Sequence, residues 1–318
     1  MPSLIGMGPV YRGALLWSTV GRLKENDCRF PQKRVPFFFA KITTKRRDLP
    51  NTLALGDIRD KFGLYSYVAF LFKRENSLSA AMVQPVQARI PDLKDTLFGA
   101  FYYGQRRAGD FYDFVATNNG RVLLGLLDVA GPLAENRGIV CAVQNSFRKD
   151  GAELFAGNDI NESEAMIELC IRLNHSVLEA ESGIRACPAF VGCYNENSGI
   201  LCYANSGHTA GLVRDQNGIS ELPATGLPLG LFSHAPSDAC MVALEPGAVL
   251  LLVSRGVVEG KHKSEEFGLG RVKEVFKQTA AENPKELCLT VLNALRQFMN
   301  TPPTHDDVTA LALVRAPQ

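Results

Sequence analysis

No two of the eight cysteines form a CxxC pair or stand at zinc-ligand spacing, which removes the usual structural zinc motifs. Most of them sit among apolar neighbours, as in Ile139-Val140-Cys141-Ala142-Val143, and read as reduced core thiols of a cytoplasmic protein. Charge of one sign is not in excess either. The 34 Lys+Arg and 33 Asp+Glu leave a net charge of +1, so no global field directs the chain to nucleic acid. Long apolar runs are missing from the N-terminal part. The longest there, Leu64 to Phe72, is nine residues, is broken by Tyr and Ser, and falls far short of the ~20 that a spanning helix needs. A clean apolar segment followed by a small-residue cleavage site is absent, so no secretory signal and no transmembrane segment are expected. No sensor module is recognisable.

What is present is unevenly placed. Residues 1–81 hold 14 Lys+Arg and 6 Asp+Glu, leaving 20 and 27 for the rest, so a basic region precedes an acidic one. The basic region shows no sustained periodicity and mixes basic pairs with aromatic clumps such as Phe37-Phe38-Phe39. Residues 1–81 therefore read as an irregular extension, disordered or preceding a true start near Met82, and residues 82–318 as the folded domain. Basic residues interleaved with aromatics could also bind nucleic acid, a reading that the neutral whole does not support.

Within the second region, Gly109-Asp110-Phe111-Tyr112-Asp113-Phe114 sets two carboxylates three residues apart in an aromatic run. A third, Asp128, ends the apolar run Val122–Leu127, which reads as a buried strand. A buried carboxylate without a partner is costly. Several of them converging would be met by a hard divalent cation such as Mg²⁺ or Mn²⁺. The alternative is that Asp110 and Asp128 simply cap turns or the helix that follows.

Further along, the pattern predicts helices over 138–148 and 162–180. A meander of hairpins follows over 189–222, with Asn and Gly turns at 195–199 and 215–218. Next come an apolar strand over 248–253, helices over 269–280 and 284–299, and a last strand over 308–314. Strands grouped in hairpins and helices grouped in pairs predict an α+β fold of segregated layers.

The order of six short blocks is more specific than any one of them. They are Gly109-Asp110-Phe111-Tyr112-Asp113-Phe114, Asp128-Val129-Ala130-Gly131, Asn205-Ser206-Gly207-His208, Gly226-Leu227-Pro228-Leu229-Gly230, Ser254-Arg255-Gly256-Val257-Val258-Glu259 and Asp306-Asp307-Val308-Thr309. Together they resemble the SpoIIE/RsbU-type branch of the PPM (PP2C-like) serine/threonine phosphatases of bacteria, over roughly residues 83–315. The resemblance implies an α/β/β/α sandwich, two antiparallel sheets flanked by helices, with a Mn²⁺ or Mg²⁺ site at one edge. There a metal-activated water would attack a phosphoserine or phosphothreonine. It implies Asp110, Asp128, the Val129 carbonyl and Asp306 as ligands and catalytic groups. Asp113 and Asp307 would support them from behind, and the Asn205–His208 block reads as a structural turn. The implied partner is a phosphorylated protein, by analogy an anti-sigma-factor antagonist, and a homodimer is compatible.

Departures from the family pattern carry as much weight. Where the family writes Thr-Asp-Gly and draws a fourth carboxylate, this chain has Ser254-Arg255-Gly256. A guanidinium there removes a ligand, opposes a dication by several kcal/mol even at an effective dielectric of about 20, and would pair with Asp110 or Asp306 instead. Pro132-Leu133-Ala134-Glu135 replaces the small residues usual after Asp128-Val129-Ala130-Gly131. The expected ion content is two, one or none, and the expected function is a weak metal-dependent phosphatase or an impaired one serving as a regulatory, phosphoprotein-binding module.

Overall fold

Strand periodicity sorts the chain into layers. In Arg121–Val129 every residue is buried, with Val122, Leu124 and Leu126 on one side and Leu123, Leu127 and Val129 on the other. A strand covered on both faces lies between two layers. The computed structural model describes residues 87–103, 109–131, 133–180, 186–234, 237–280, 283–300 and 307–317. Its elements are β1 (Thr96–Tyr103), β2 (Gly109–Ala116), β3 (Arg121–Val129), α1 (Leu133–Leu154), α2 (Glu162–Ala180), β4 (Ala189–Asn195), β5 (Ile200–Ser206), β6 (Gly211–Asp215), β7 (Gly218–Leu222), β8 (Cys240–Ala243), β9 (Val249–Val253), α3 (Arg255–Val258), β10 (Lys261–His262), β11 (Glu265–Glu266), α4 (Gly268–Gln278), α5 (Pro284–Met299) and β12 (Val308–Arg315).

Two five-stranded antiparallel sheets result, ordered β1-β12-β9-β6-β7 and β2-β3-β4-β5-β8, beside a two-stranded β10-β11 ribbon. Three apolar layers hold them together. Phe114, Leu124, Phe190, Leu250 and Leu311 pack between the sheets. Leu123, Phe147, Leu169 and Val191 seal α1 and α2 to the β2–β8 sheet. Leu251, Val272, Leu287 and Ala310 seal α4 and α5 to the other. The expected α/β/β/α sandwich is the observed fold.

The helix expected over 138–148 runs instead from Leu133 to Leu154. Gly151 looks like a stop signal in sequence. Here it is a close-packing residue, because a Cβ on it would stand 2.7 Å from Leu123 Cδ1. The short β8 and α3 lack a repeat long enough to read in advance. Of the described cysteines, six are buried and none is in a disulfide. Burial pushes the thiols of Cys170 and Cys288 up to about 12, so they stay protonated. No described helix is long and apolar enough to cross a membrane. Residues 1–81, and the expectations attached to them, lie outside the described residues.

Candidate active site at the mouth between the sheets

Asp110 and Asp128 are directly opposed in the β2–β3 register. Alternation along each strand sends both to the inner side. Tyr112 and Phe114 follow Asp110 into the layer between the sheets, and Leu124 and Leu126 precede Asp128 there. The two carboxylates thus meet at the end of the inter-sheet layer. Gly109 allows the strands this close, since a Cβ on it would stand 2.1 Å from the Val129 carbonyl oxygen.

The opposite sheet closes the mouth. The Thr309 hydroxyl donates to Asp110 Oδ2 at 3.1 Å. Ser254 N–H donates to the Thr309 carbonyl at 2.9 Å, and Thr309 N–H to Ser254 Oγ at 3.0 Å, so one backbone and one side-chain bond lock the two residues together just past the last β9–β12 pair, Val253–Ala310. Ser254 is also the N-cap of α3, so the next residue, Arg255, starts that helix as it leaves β9. Arg255 Nε lies 3.2 Å from Asp128 Oδ2, with the guanidinium side chain 47% exposed and the carboxylate side chain 4%. Among the described residues the ion pair is therefore with Asp128; of the two partners expected from sequence, Asp110 is not in it and Asp306 lies outside the described residues.

Asp113 does not belong to this constellation. Its odd position along β2 turns it to the helix side with Phe111. There Arg148 of α1 holds it through Nε at 2.6 Å and Nη2 at 3.0 Å, and Gln144 Nε2 donates at 3.0 Å. Its support role toward the ligands is thereby corrected to that of a bolt between β2 and α1. Asp307 is buried beside the site's second sheet, and its carbonyl lies 3.5 Å from Ser254 Oγ. Asp306 lies outside the described residues. The Val129 carbonyl accepts from Asn136 Nδ2 at 3.2 Å, as does that of Ala130 at 2.9 Å. Asn136 and Arg148 were not singled out from sequence, and Ser254 and Thr309 stood in the quoted blocks without a role. Only an Asn early in a helix, after an Asp-Val-Ala-Gly turn, could have drawn notice.

Asn205 organises the neighbouring turn. Its Oδ1 accepts from His208 N–H at 2.8 Å, and its carbonyl accepts from Gly207, Thr225 and Gly226. Gly207 has φ +69° and a Cβ there would strike Pro228 at 2.6 Å, so only glycine suits it. His208 is buried with Nδ1 3.2 Å from the Thr209 carbonyl, which makes Nδ1 the protonated nitrogen and leaves Nε2 with no hydrogen-bond partner. Burial, with the Arg255 charge adding to it, lowers its pKa to about 4, so the ring is neutral at pH 7.

Two carboxylates on one strand pair can hold a cation. A guanidinium already in contact with one of them does not fit a two-ion centre, because its fixed charge competes for Asp128 and repels a dication nearby. Among the described residues, no three His, Cys, Asp or Glu side chains gather to hold a metal ion.

Residues 118–316 match the family described as Stage II sporulation protein E (SpoIIE). Protein IcfG of Synechocystis sp. is 23% identical over 252 residues, which cover 71% of this chain and 39% of that protein, so the chain spans about two-fifths of that curated relative. Among solved structures, the RsbU and RsbW domains of Rv1364c from Mycobacterium tuberculosis align with TM-score 0.59 at 20% identity, covering 74% of this chain and 64% of that one. The SiaA-PP2C domain of Pseudomonas aeruginosa aligns with TM-score 0.58 at 17% identity over 68% and 85% of the two chains. The SpoIIE PP2C phosphatase domain with a regulatory fragment from Bacillus subtilis aligns with TM-score 0.58 at 16% identity over 70% and 62%. On a profile match of that extent, laid over the same two-sheet sandwich, the chain belongs to the SpoIIE/RsbU-type branch of the PPM (PP2C-like) phosphatase family.

Proposed function

We propose that this domain recognises a protein phosphorylated on serine or threonine in bacterial signalling, and that Arg255 has weakened or abolished metal-dependent hydrolysis at its site. The observation that carries this reading is the 3.2 Å contact of Arg255 Nε with Asp128 Oδ2. A monovalent guanidinium stands where the family places a metal-ligating carboxylate, and it neutralises the most buried acid of the pair. A guanidinium has five N–H donors in a planar fork. One half-exposed Arg255 can therefore keep Asp128 and also engage a phosphate group. The partner on this reading is a phosphorylated signalling protein, by analogy an anti-sigma-factor antagonist, met in the cytoplasm. The irregular basic region over 1–81 and the domain over 82–318 complete the proposal.

A second reading, a slow phosphatase, is favoured by the opposed pair Asp110 and Asp128, which remains intact on the inner face. Mn²⁺ titration by calorimetry separates the two, alongside p-nitrophenyl phosphate hydrolysis. Wild type is expected to bind at most one ion with useful affinity, and Arg255→Asp to raise both Mn²⁺ binding and turnover by tenfold or more. Two tightly bound ions in wild type, with turnover lost in Asp128→Asn, would make it a working phosphatase.

A further inference from the structure

On the reading of the mouth as a phosphate site, we infer that His208 is the positioning residue for Arg255: its Nε2 lone pair anchors a second edge of the guanidinium, so that the remaining N–H groups face a phosphate held there. The register of the strands brings the two residues level. β5 ends at Ser206 in one sheet and β6 begins at Gly211 in the other, so residues 207–210 cross between the sheets. β6 lies against β9 with Arg214 opposite Val249, Val213 opposite Leu250 and Leu212 opposite Leu251. Carried four residues further, that register sets His208 level with Arg255. The same crossover meets the other sheet beside Asp128, whose N–H donates to the Pro188 carbonyl while Ala189 bridges to Gly207. The Arg255 charge accordingly acts on the His208 ring.

His208 has what such an anchor needs. The residue is 6% exposed, and with Nδ1 donating to the Thr209 carbonyl, Nε2 is an acceptor with no hydrogen-bond partner. A buried acceptor left unmet is costly, so a donor close by gains by turning to it. Several neighbouring donors are committed elsewhere. The Asn205 amide is given to the Thr209 and Leu222 carbonyls, the Ser254 hydroxyl to the Asp307 carbonyl and the Thr309 hydroxyl to Asp110. Arg255 offers five N–H groups, with Nε 3.2 Å from Asp128 Oδ2, and at 47% exposed its side chain has room to turn. A guanidinium held by one acceptor swings about that contact. Held by a carboxylate on one edge and an imidazole on another, it keeps one plane, and less ordering is left to do when phosphate arrives.

Long-range ¹H–¹⁵N spectra of the imidazoles in the full chain test this at pH 7, the His208 signals being those lost in His208→Gln. Phosphoserine titrated into wild type is expected to move the Nε2 resonance upfield, as accepting a hydrogen bond does, and Arg255→Ala to abolish that movement. Phosphoserine binding should weaken about tenfold in His208→Phe, which is close in size and has no acceptor, and stay within about twofold of wild type in His208→Gln, whose amide oxygen takes the place of Nε2. Phosphoserine that binds with Nε2 unmoved, or equally well to the Phe variant, would overturn the role of His208 and leave the phosphate reading of the mouth standing. Phosphoserine that does not bind wild type at all would bring down both. Should His208→Phe unfold the chain, Asp128→Asn carries the test without any ligand. With the carboxylate charge gone, Arg255 is expected to turn to His208 and shift Nε2 upfield, and a resonance left where it stands in wild type would refute the anchoring.

Discussion

The Arg255 side chain sets the character of the mouth. With Arg255 in contact with Asp128, one of the two opposed carboxylates already has a cationic partner, which is why the effect of Arg255→Asp is expected to appear first as ion binding and only second as turnover. His208 supplies a separate, pH-dependent signature. It is buried and neutral, with a folded pKa of about 4 against 6.5 unfolded. Below pH 6.5 the unfolded chain takes up the proton that the folded one refuses, so stability falls as pH drops from about 6.5 toward 4. His208→Gln, which cannot be protonated, should lose less stability than wild type between pH 7 and pH 5. A difference on the order of 1–2 kcal/mol in urea unfolding is expected, and equal losses in the two proteins would refute this account of His208.

At the scale of elements, β2 divides its own acids. Positions 110 and 113 differ by an odd number, so one carboxylate goes to the mouth and the other to α1. The sequence showed both acids and the strand, and parity was available in it. Which face was inner was not, because β2 has apolar residues on both sides and each is buried against a different layer. Arg148 likewise carries no sequence signal, being 35 residues from Asp113. Its truncation leaves Asp113, whose side chain is 0% exposed, with Gln144 and a backbone amide as its neutral partners. Arg148→Ala is therefore expected to cost about 2–4 kcal/mol in chemical denaturation. Mn²⁺ binding by an Arg255→Asp background should stay as it was, because Asp113 faces away from the site. A coupled loss of binding would return Asp113 to the site.

For the whole molecule, three apolar layers stacked through two sheets predict one cooperative unit with insulated outer faces. Leu169 on α2 and Leu287 on α5 are both fully buried, in opposite outer layers. Each change to Ala should cost about 2–5 kcal/mol. The double variant should show the sum within about 0.5 kcal/mol and a single unfolding transition. Two transitions would mean that the sheets unfold separately.

The sequence by itself determined an α+β fold of segregated layers, the order of its blocks, the acids at 110 and 128 and the arginine at 255, while the two-sheet sandwich came with the family resemblance. These are written in hydrophobic period, turn residues and local motif, all short-range features of a chain. Tertiary structure decided that Arg255 meets Asp128, that Thr309 holds Asp110, and that Asp113 belongs to α1. Those pairings join residues 35 to 199 positions apart across separate layers, and only the packing of one layer on the next brings them together.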